Sequence, residues 1–247
     1  MLKHIGLVLT AFALIALSQS KDASMDEILK VNWNKQSLAA LEKLIPDQKA
    51  AQQFATAVLM AQPHTEPDNV YKLDVDTEVV VDYQFVDLKG DGSVQFVCLL
   101  DITGRRRPTI LMAVENDHGR PKMADVTGGE GGLGLGYLSA ILRDMRHDGK
   151  NEVVLSLALE PFRGVAAPTP YMEHIYLYRD GQFVPSDREF LDYYRNVALP
   201  ERRQELNDIL LHAPPPGASP EDREDFRKTV DGKKEEIEAL KKLLSSP

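Results

Sequence analysis

Two stretches of this chain place carboxylates at a spacing that can wrap a hard cation. The stronger is Asp144–Leu157, DMRHDGKNEVVLSL, and its weaker echo is Asp87–Leu100, DLKGDGSVQFVCLL. In each, an Asp is followed four residues on by an Asp-Gly pair and then by an apolar run. Aligned on the first Asp, Asp87 matches Asp144, Lys89 matches Arg146, Asp91 matches Asp148, Gly92 matches Gly149 and Gln95 matches Glu152. Calcium takes roughly six to eight oxygens, and a Gly at the sixth position permits the sharp turn such a loop needs. Asp144, Asp148 and Glu152 are therefore the candidate metal ligands.

Two details weaken a cation site. A helix–loop–helix calcium hand would need Glu at position 12, which here is Cys98 or Leu155 inside a strand. The third position, where an oxygen would be a ligand, is Lys89 in one loop and Arg146 in the other. The first loop also has Gln95 in place of the acid. The expectation is no cofactor: each loop is an Asp-Gly turn tied by an internal salt bridge, with Arg146 neutralising Asp144 and Asp148. Calcium at Asp144, Asp148 and Glu152 is the alternative.

The two loops, with Glu152-Val153-Val154 leading an apolar strand, resemble the FG-GAP or VCBS repeats of integrin-like β-propeller proteins. The hairpin ending in Tyr178-Arg179-Asp180-Gly181-Gln182-Phe183-Val184 is similar to the outer hairpin of their blades. The resemblance implies two degenerate blade-like units and a role in binding, adhesion or scaffolding. Two units cannot close a propeller, so they must pair with helices or with a second protomer, which makes a homodimer one expectation.

Other chemistry is sparse. Gly129–Gly134 contains a formal GxGxxG between a strand at Lys122–Val126 and a helical pattern at Leu135–Met145, but no further βαβ units follow, and the stretch reads as a connector. No HExxH, paired CxxC or GxSxG occurs. The lone Cys98 lies in an apolar run and reads as a small buried side chain. His118 and His147 fall in turns, and the other histidines are scattered. Arg105-Arg106-Arg107 reads as a solvated turn.

The elements that must position the loops follow from periodicity. From residue 25 to 62 the pattern is helical. A short helix precedes Trp33, Leu38, Leu41, Leu44 and Ile45 lie on one face, and Pro46 starts a helix with Ala50, Phe54 and Val58 inward. Residues 63–68 read as a linker. Residues 70–185 form the β region, including a strand at Val75–Phe85, hairpins around Asp117-His118-Gly119 and Asp180-Gly181, and the two Asp-Gly units. Residues 186–247 return to helix. Ser186 with Glu189 reads as a capping box, Pro200 starts a helix, and Ser219-Pro220 opens the last one. That last helix reads as docked on its own domain, with a coiled coil as the alternative.

Residues 1–18 read as a signal peptide. Lys3 and His4 precede the apolar run Ile5–Leu17, and Ala16-Leu17-Ser18 supports cleavage before Gln19. At about 13 residues the run falls short of the roughly 20 that span a bilayer. No stable membrane span is expected. A net charge of -9 repels phosphate backbones and argues against a nucleic-acid partner. The reading is an exported α+β protein, periplasmic or secreted, in which two antiparallel propeller-blade-like units are flanked by N- and C-terminal helices. Its expected function is non-catalytic binding or scaffolding with a protein or glycan partner in the cell envelope. The alternative is a hydrolase using carboxylates in a cleft near the Asp-Gly loops.

Overall fold

A computed structural model describes residues 23–62, 79–101, 110–127, 137–159 and 169–246. The signal reading at 1–18, the linker at 63–68, the arginines at 105–107 and the glycines at 129–134 lie outside the described residues.

Among the described residues, eight strands form two antiparallel four-stranded meanders. The first sheet runs β1 (Val79–Val86), β2 (Gln95–Asp101), β3 (Ile110–Asp117), β4 (Arg120–Thr127). The second runs β5 (Leu142–Arg143), β6 (Glu152–Ala158), β7 (Tyr171–Arg179), β8 (Gln182–Pro185). The sheets stack face to face in the same sense. β4 lies against β8, and the short helix α4 (Leu138–Ile141), which leads into β5, lies against β1. The Leu138 N–H donates to Asp82 Oδ2 at 2.7 Å across that side.

Every strand residue has a face fixed by the period of two. On β2 and β3, Phe96, Cys98, Leu100, Ile110, Met112 and Val114 turn outward into a core shared with the N-terminal helices. Val97, Leu99, Leu111 and Ala113 turn inward against Val153, Leu155 and Tyr178 of the second sheet. Burial on both faces explains why β2 reads as an unbroken apolar run rather than an alternating one. The outer face of the second sheet, through Val154, Met172 and Ile175, meets the C-terminal helices. The molecule is thus four layers, helix–sheet–sheet–helix, with three apolar cores between them.

The N-terminal layer comprises α1 (Met25–Lys30), α2 (Leu38–Leu44) and α3 (Gln48–Ala61). Ser24 and Glu27 form a reciprocal capping box on α1. Trp33 sits in the outer core, its ring edge-on to Phe85 at 5.5 Å and tilted against Phe54 at 5.9 Å. The helix expected to start at Pro46 starts two residues later, at Gln48. Asp47 is its N-cap, accepting from the Ala50 N–H at 2.9 Å, and Pro46 precedes the cap. The exposed edge of β1 is guarded: the Val80 N–H donates to Gln52 Oε1 at 2.5 Å, the Val80 carbonyl accepts from Gln48, and a bulge follows.

The C-terminal layer begins with a composite helix: a 3-10 turn at Asp187–Phe190, α5 (Leu191–Tyr193), a π stretch at Tyr194–Ala198, then α6 (Leu199–Leu211). The expected Ser186–Glu189 capping box does not form. The Ser186 hydroxyl donates to the Val184 carbonyl at 2.9 Å, and the Glu189 carboxylate is taken by two arginines. The last helix, α7 (Pro220–Ser245), carries the expected cap, Ser219 with Asp222. It docks on its own chain through Val230, Ile237 and Leu240. Lys233, which breaks the apolar seam in sequence, bonds Glu236 at 2.6 Å and Glu205 of α6 at 2.8 Å. Within the described part of the helix expected at Leu135–Met145, residues 137–145, only α4 is helical. The strands flanking the glycine motif belong to different sheets, so no βαβ unit exists there.

Candidate functional site

In a meander every odd-to-even turn falls at one end of the sheet. Both sheets place four such turns together: the loop 87–94, His118-Gly119, the loop 144–151 and Asp180-Gly181. The ends coincide because the sheets stack in the same sense. The Lys150 side chain lies against Gly90, and Lys122 Nζ donates to the Asp180 carbonyl at 3.1 Å.

The two Asp-Gly loops are built alike. Asp87 accepts from the N–H groups of Gly90 at 2.5 Å and Gly92 at 2.9 Å. Asp144 accepts from Asp148 at 3.0 Å and Gly149 at 2.9 Å. Asp91 and Asp148 each accept from the N–H two residues on, at 2.8 and 3.0 Å. Gly92 and Gly149 occupy left-handed backbone at φ 86 and 82. Gln95 accepts from the Leu88 N–H, and Glu152 from the Met145 N–H, both at 2.8 Å and both side chains buried. Amide and carboxylate close the base of the loop equally well.

The structure therefore spends the predicted ligands on backbone. Asp144 and Asp148 share one turn, while Glu152 reaches across the loop base to Met145. Among the described residues, no three His, Cys, Asp or Glu side chains converge as a metal ion would require. Burial pushes the Glu152 carboxyl above its usual range, against the hydrogen bond from Met145. Hydrogen bonds from Ser93 hold Asp91 below its usual value.

The cations at the third position do not act as expected. Arg146 does not neutralise Asp144 and Asp148. Its guanidinium lies 4.4 Å over the Phe190 ring, 3.0 Å from Glu189 Oε2 and 4.0 Å from Glu152 Oε1. Arg179 reaches the same Glu189 oxygen at 2.9 Å, and these two partners, Arg179 first, depress the Glu189 pKa. Lys89 bonds Glu115 of β3 at 2.5 Å. The reason is geometric. The short Asp side chains are satisfied by amides within their own turn, so a long side chain between them points outward to the nearest free carboxylate. Asp87 instead takes Lys35 of the N-terminal layer at 3.0 Å.

Glu115 was not singled out from the sequence, yet it is the polar centre of this end. It holds Lys89 on one oxygen and Lys122, at 3.4 Å, on the other. Burial, then the neighbouring Glu115 charge, drives the Tyr178 phenol of the second sheet far above its usual pKa. The signal was available. Leu111, Ala113 and Glu115 share one strand face, so a carboxylate there has to meet the inter-sheet core. Beside it opens a slot of about 110 Å³, lined among others by Trp33, Lys89, Gln95, Glu115, Asn116 and Asp117.

A second polar cluster lies under the π stretch. Asp187 accepts from the Ile175 N–H at 2.6 Å and from the Tyr194 hydroxyl at 2.7 Å, with His174 Nδ1 at 2.8 Å. The Tyr193 hydroxyl donates to Glu173 at 2.5 Å, and Arg143 pairs with the same carboxylate at 3.0 Å. The inserted residue of the π turn lets two consecutive tyrosines both face β7. His118 and His147 fall in the turns read from the sequence, and both have positive φ. Cys98 is buried, and burial drives its thiol far above the ordinary range. No described helix is long and apolar enough to cross a membrane.

No family model, no curated protein and no solved structure matches the chain.

Proposed function

We propose that this chain is an exported, non-catalytic binding or scaffolding protein of the cell envelope, periplasmic or secreted, and that its turn end meets a protein or glycan partner. The observation that carries the reading is that four turns converge on one end of a rigid double sheet, with both long turns already closed by internal hydrogen bonds. Binding residues sit characteristically on loops held by such a scaffold, and a surface ordered beforehand loses little entropy on docking. The sequence resemblance to FG-GAP or VCBS repeats points the same way. Two units with the same strand order, the same loop hydrogen bonds and matching outer hairpins are what a degenerate pair of such repeats would give.

The test is capture from native envelope fractions by the mature protein, set against a variant carrying His118→Ala, Lys150→Ala and Asp180→Asn. All three positions are exposed. A partner retained by the wild type and lost by the folded variant supports the reading, and one retained by both moves the surface elsewhere. A calcium-dependent rise in Tm would give Asp144, Asp148 and Glu152 the ligand role instead.

The hydrolase reading has one observation in its favour, the presence of Glu115 and Asp117 in the slot beside the first loop. Against it, Glu115 is engaged by two lysines. Release of product from cell-wall or glycan substrates, lost in Glu115→Gln, would reverse the order of the two readings.

A further inference from the structure

We infer that the slot between Trp33, the first Asp-Gly loop and the end of β3 is a binding site for a small zwitterion of the size of glycine or alanine. The inference goes beyond the macromolecular partner proposed above and stands independently of it. Size comes first. A volume of about 110 Å³ is somewhat below the roughly 150 Å³ of a cavity that takes up benzene, so a ligand of five or six heavy atoms fits.

Hydrogen-bonding capacity comes next. Most of the polar lining is already committed. Trp33 Nε1 donates to the Ile28 carbonyl at 3.1 Å, and Asn116 Nδ2 donates to the Leu29 and Val31 carbonyls at 2.8 and 3.2 Å. Gln95 accepts from Leu88 and donates to the Ser93 hydroxyl at 3.2 Å. Two groups keep capacity to spare. The Lys89 ammonium has three donors and its ion pair to Glu115 occupies one. Asp117 is 62% exposed, and its carboxylate lies 3.9 Å from the His118 ring.

Charge then selects the ligand. At the inner end the Glu115 carboxylate faces two ammonium groups, Lys122 and Lys89, the latter also in the field of Asp91. At the rim Asp117 supplies a negative charge. A ligand carboxylate placed on Lys89 and an ammonium placed toward Asp117 complement both ends, with the indole and Val94 as an apolar wall. A lone anion would meet Asp117 and a lone cation would meet the lysine, so each single-charge analogue forfeits one end of the site.

The experiment is calorimetric or NMR titration of the full chain with glycine, alanine, acetate and methylammonium at up to about 10 mM, tenfold above a Kd of about 1 mM. Saturable binding of glycine or alanine is expected, with acetate and methylammonium at least roughly tenfold weaker, the scale of one charge-assisted contact. Asp117→Asn, at an exposed position that leaves the fold intact, should weaken glycine by a similar factor. Lys89→Met should abolish binding if the variant folds, and the ligand series on the wild type decides the matter if it does not. Absence of saturation, equal binding of acetate and glycine, or an unchanged affinity in Asp117→Asn overturns the inference. None of these results depends on whether the turn end captures an envelope partner.

Discussion

Gln95 and Glu152 hold equivalent places with different chemistry, one neutral and one ionisable, and each accepts the N–H across the loop base at 2.8 Å. The carboxylate is the less comfortable of the two, because burial raises its pKa. A carboxyl whose folded pKa exceeds its unfolded value opposes folding once ionised, and that opposition disappears as the pH falls toward the unfolded value. Glu152→Gln should therefore raise stability at neutral pH by a few tenths to about 1 kcal/mol, with the advantage shrinking in urea melts near pH 4. A variant less stable than wild type at pH 7 would mean that the 4.0 Å contact with Arg146 outweighs burial. The glycines allow a sharper comparison. Gly90 and Gly92 both have positive φ, at 72 and 86, but a methyl at Gly90 would also meet the Lys150 stem at 2.2–2.5 Å, whereas Gly92 faces open space. Gly92→Ala should cost about 1–2 kcal/mol from the left-handed backbone alone, and Gly90→Ala measurably more. Restoring Gly90→Ala with Lys150→Ala should recover the difference but not the backbone term.

Among the elements, the least legible from sequence was the segment after β8. Ser186 and Glu189 have the spacing of a capping box, yet Asp187 between them does the tying. Spacing cannot reveal that, because the donors come from β7 and from a π turn a full helical stretch away. What the sequence did reveal was local: the Asp-Gly turns, the two hairpins, the cap at Ser219, and the strand character of Gln95–Asp101. The destinations of Lys89 and Arg146 were hidden because their partners are distant in sequence: Glu115 comes beside the first loop only through the strand register of the first sheet, and Glu189 comes beside the second only through the return of the chain after β8. Burial alone would raise the Asp187 pKa, but hydrogen bonds from His174, the Ile175 N–H and Tyr194 outweigh it and leave it lowered. Its contribution is present above the unfolded value and is lost as pH falls through the folded one. Asp187→Ala should cost about 2–3 kcal/mol at pH 7. Thermal melts from pH 7 to pH 2 should show the gap to wild type closing only below about pH 4. A gap independent of pH would show that packing, not the charge, is what the residue supplies.

For the molecule as a whole, each sheet needs its outer face covered, and the covers are unlike helical layers from the two ends of the described chain. Removing residues 218–247 takes away α7 with Val230, Ile237 and Leu240 and uncovers Ile175 and Leu199. That truncation should bind a hydrophobic dye and lose cooperativity on melting, while the mass per particle in sedimentation changes only by the deletion. A dimer that becomes a monomer on truncation would mean that α7 also serves a second copy.

The three cores divide along the chain in a way that bears on synthesis. Residues 23–123 build the first core by themselves, and residues 145–244 build the third, while only the middle one draws on both. A chain threaded out of the ribosome or across a membrane from its N-terminus can thus close its first half before the second has emerged. The exposed inner face of the first sheet, Val97, Leu99 and Leu111, is then the surface at risk during that interval. The late arrival that protects it is β6, and through it the second half completes the first rather than merely following it.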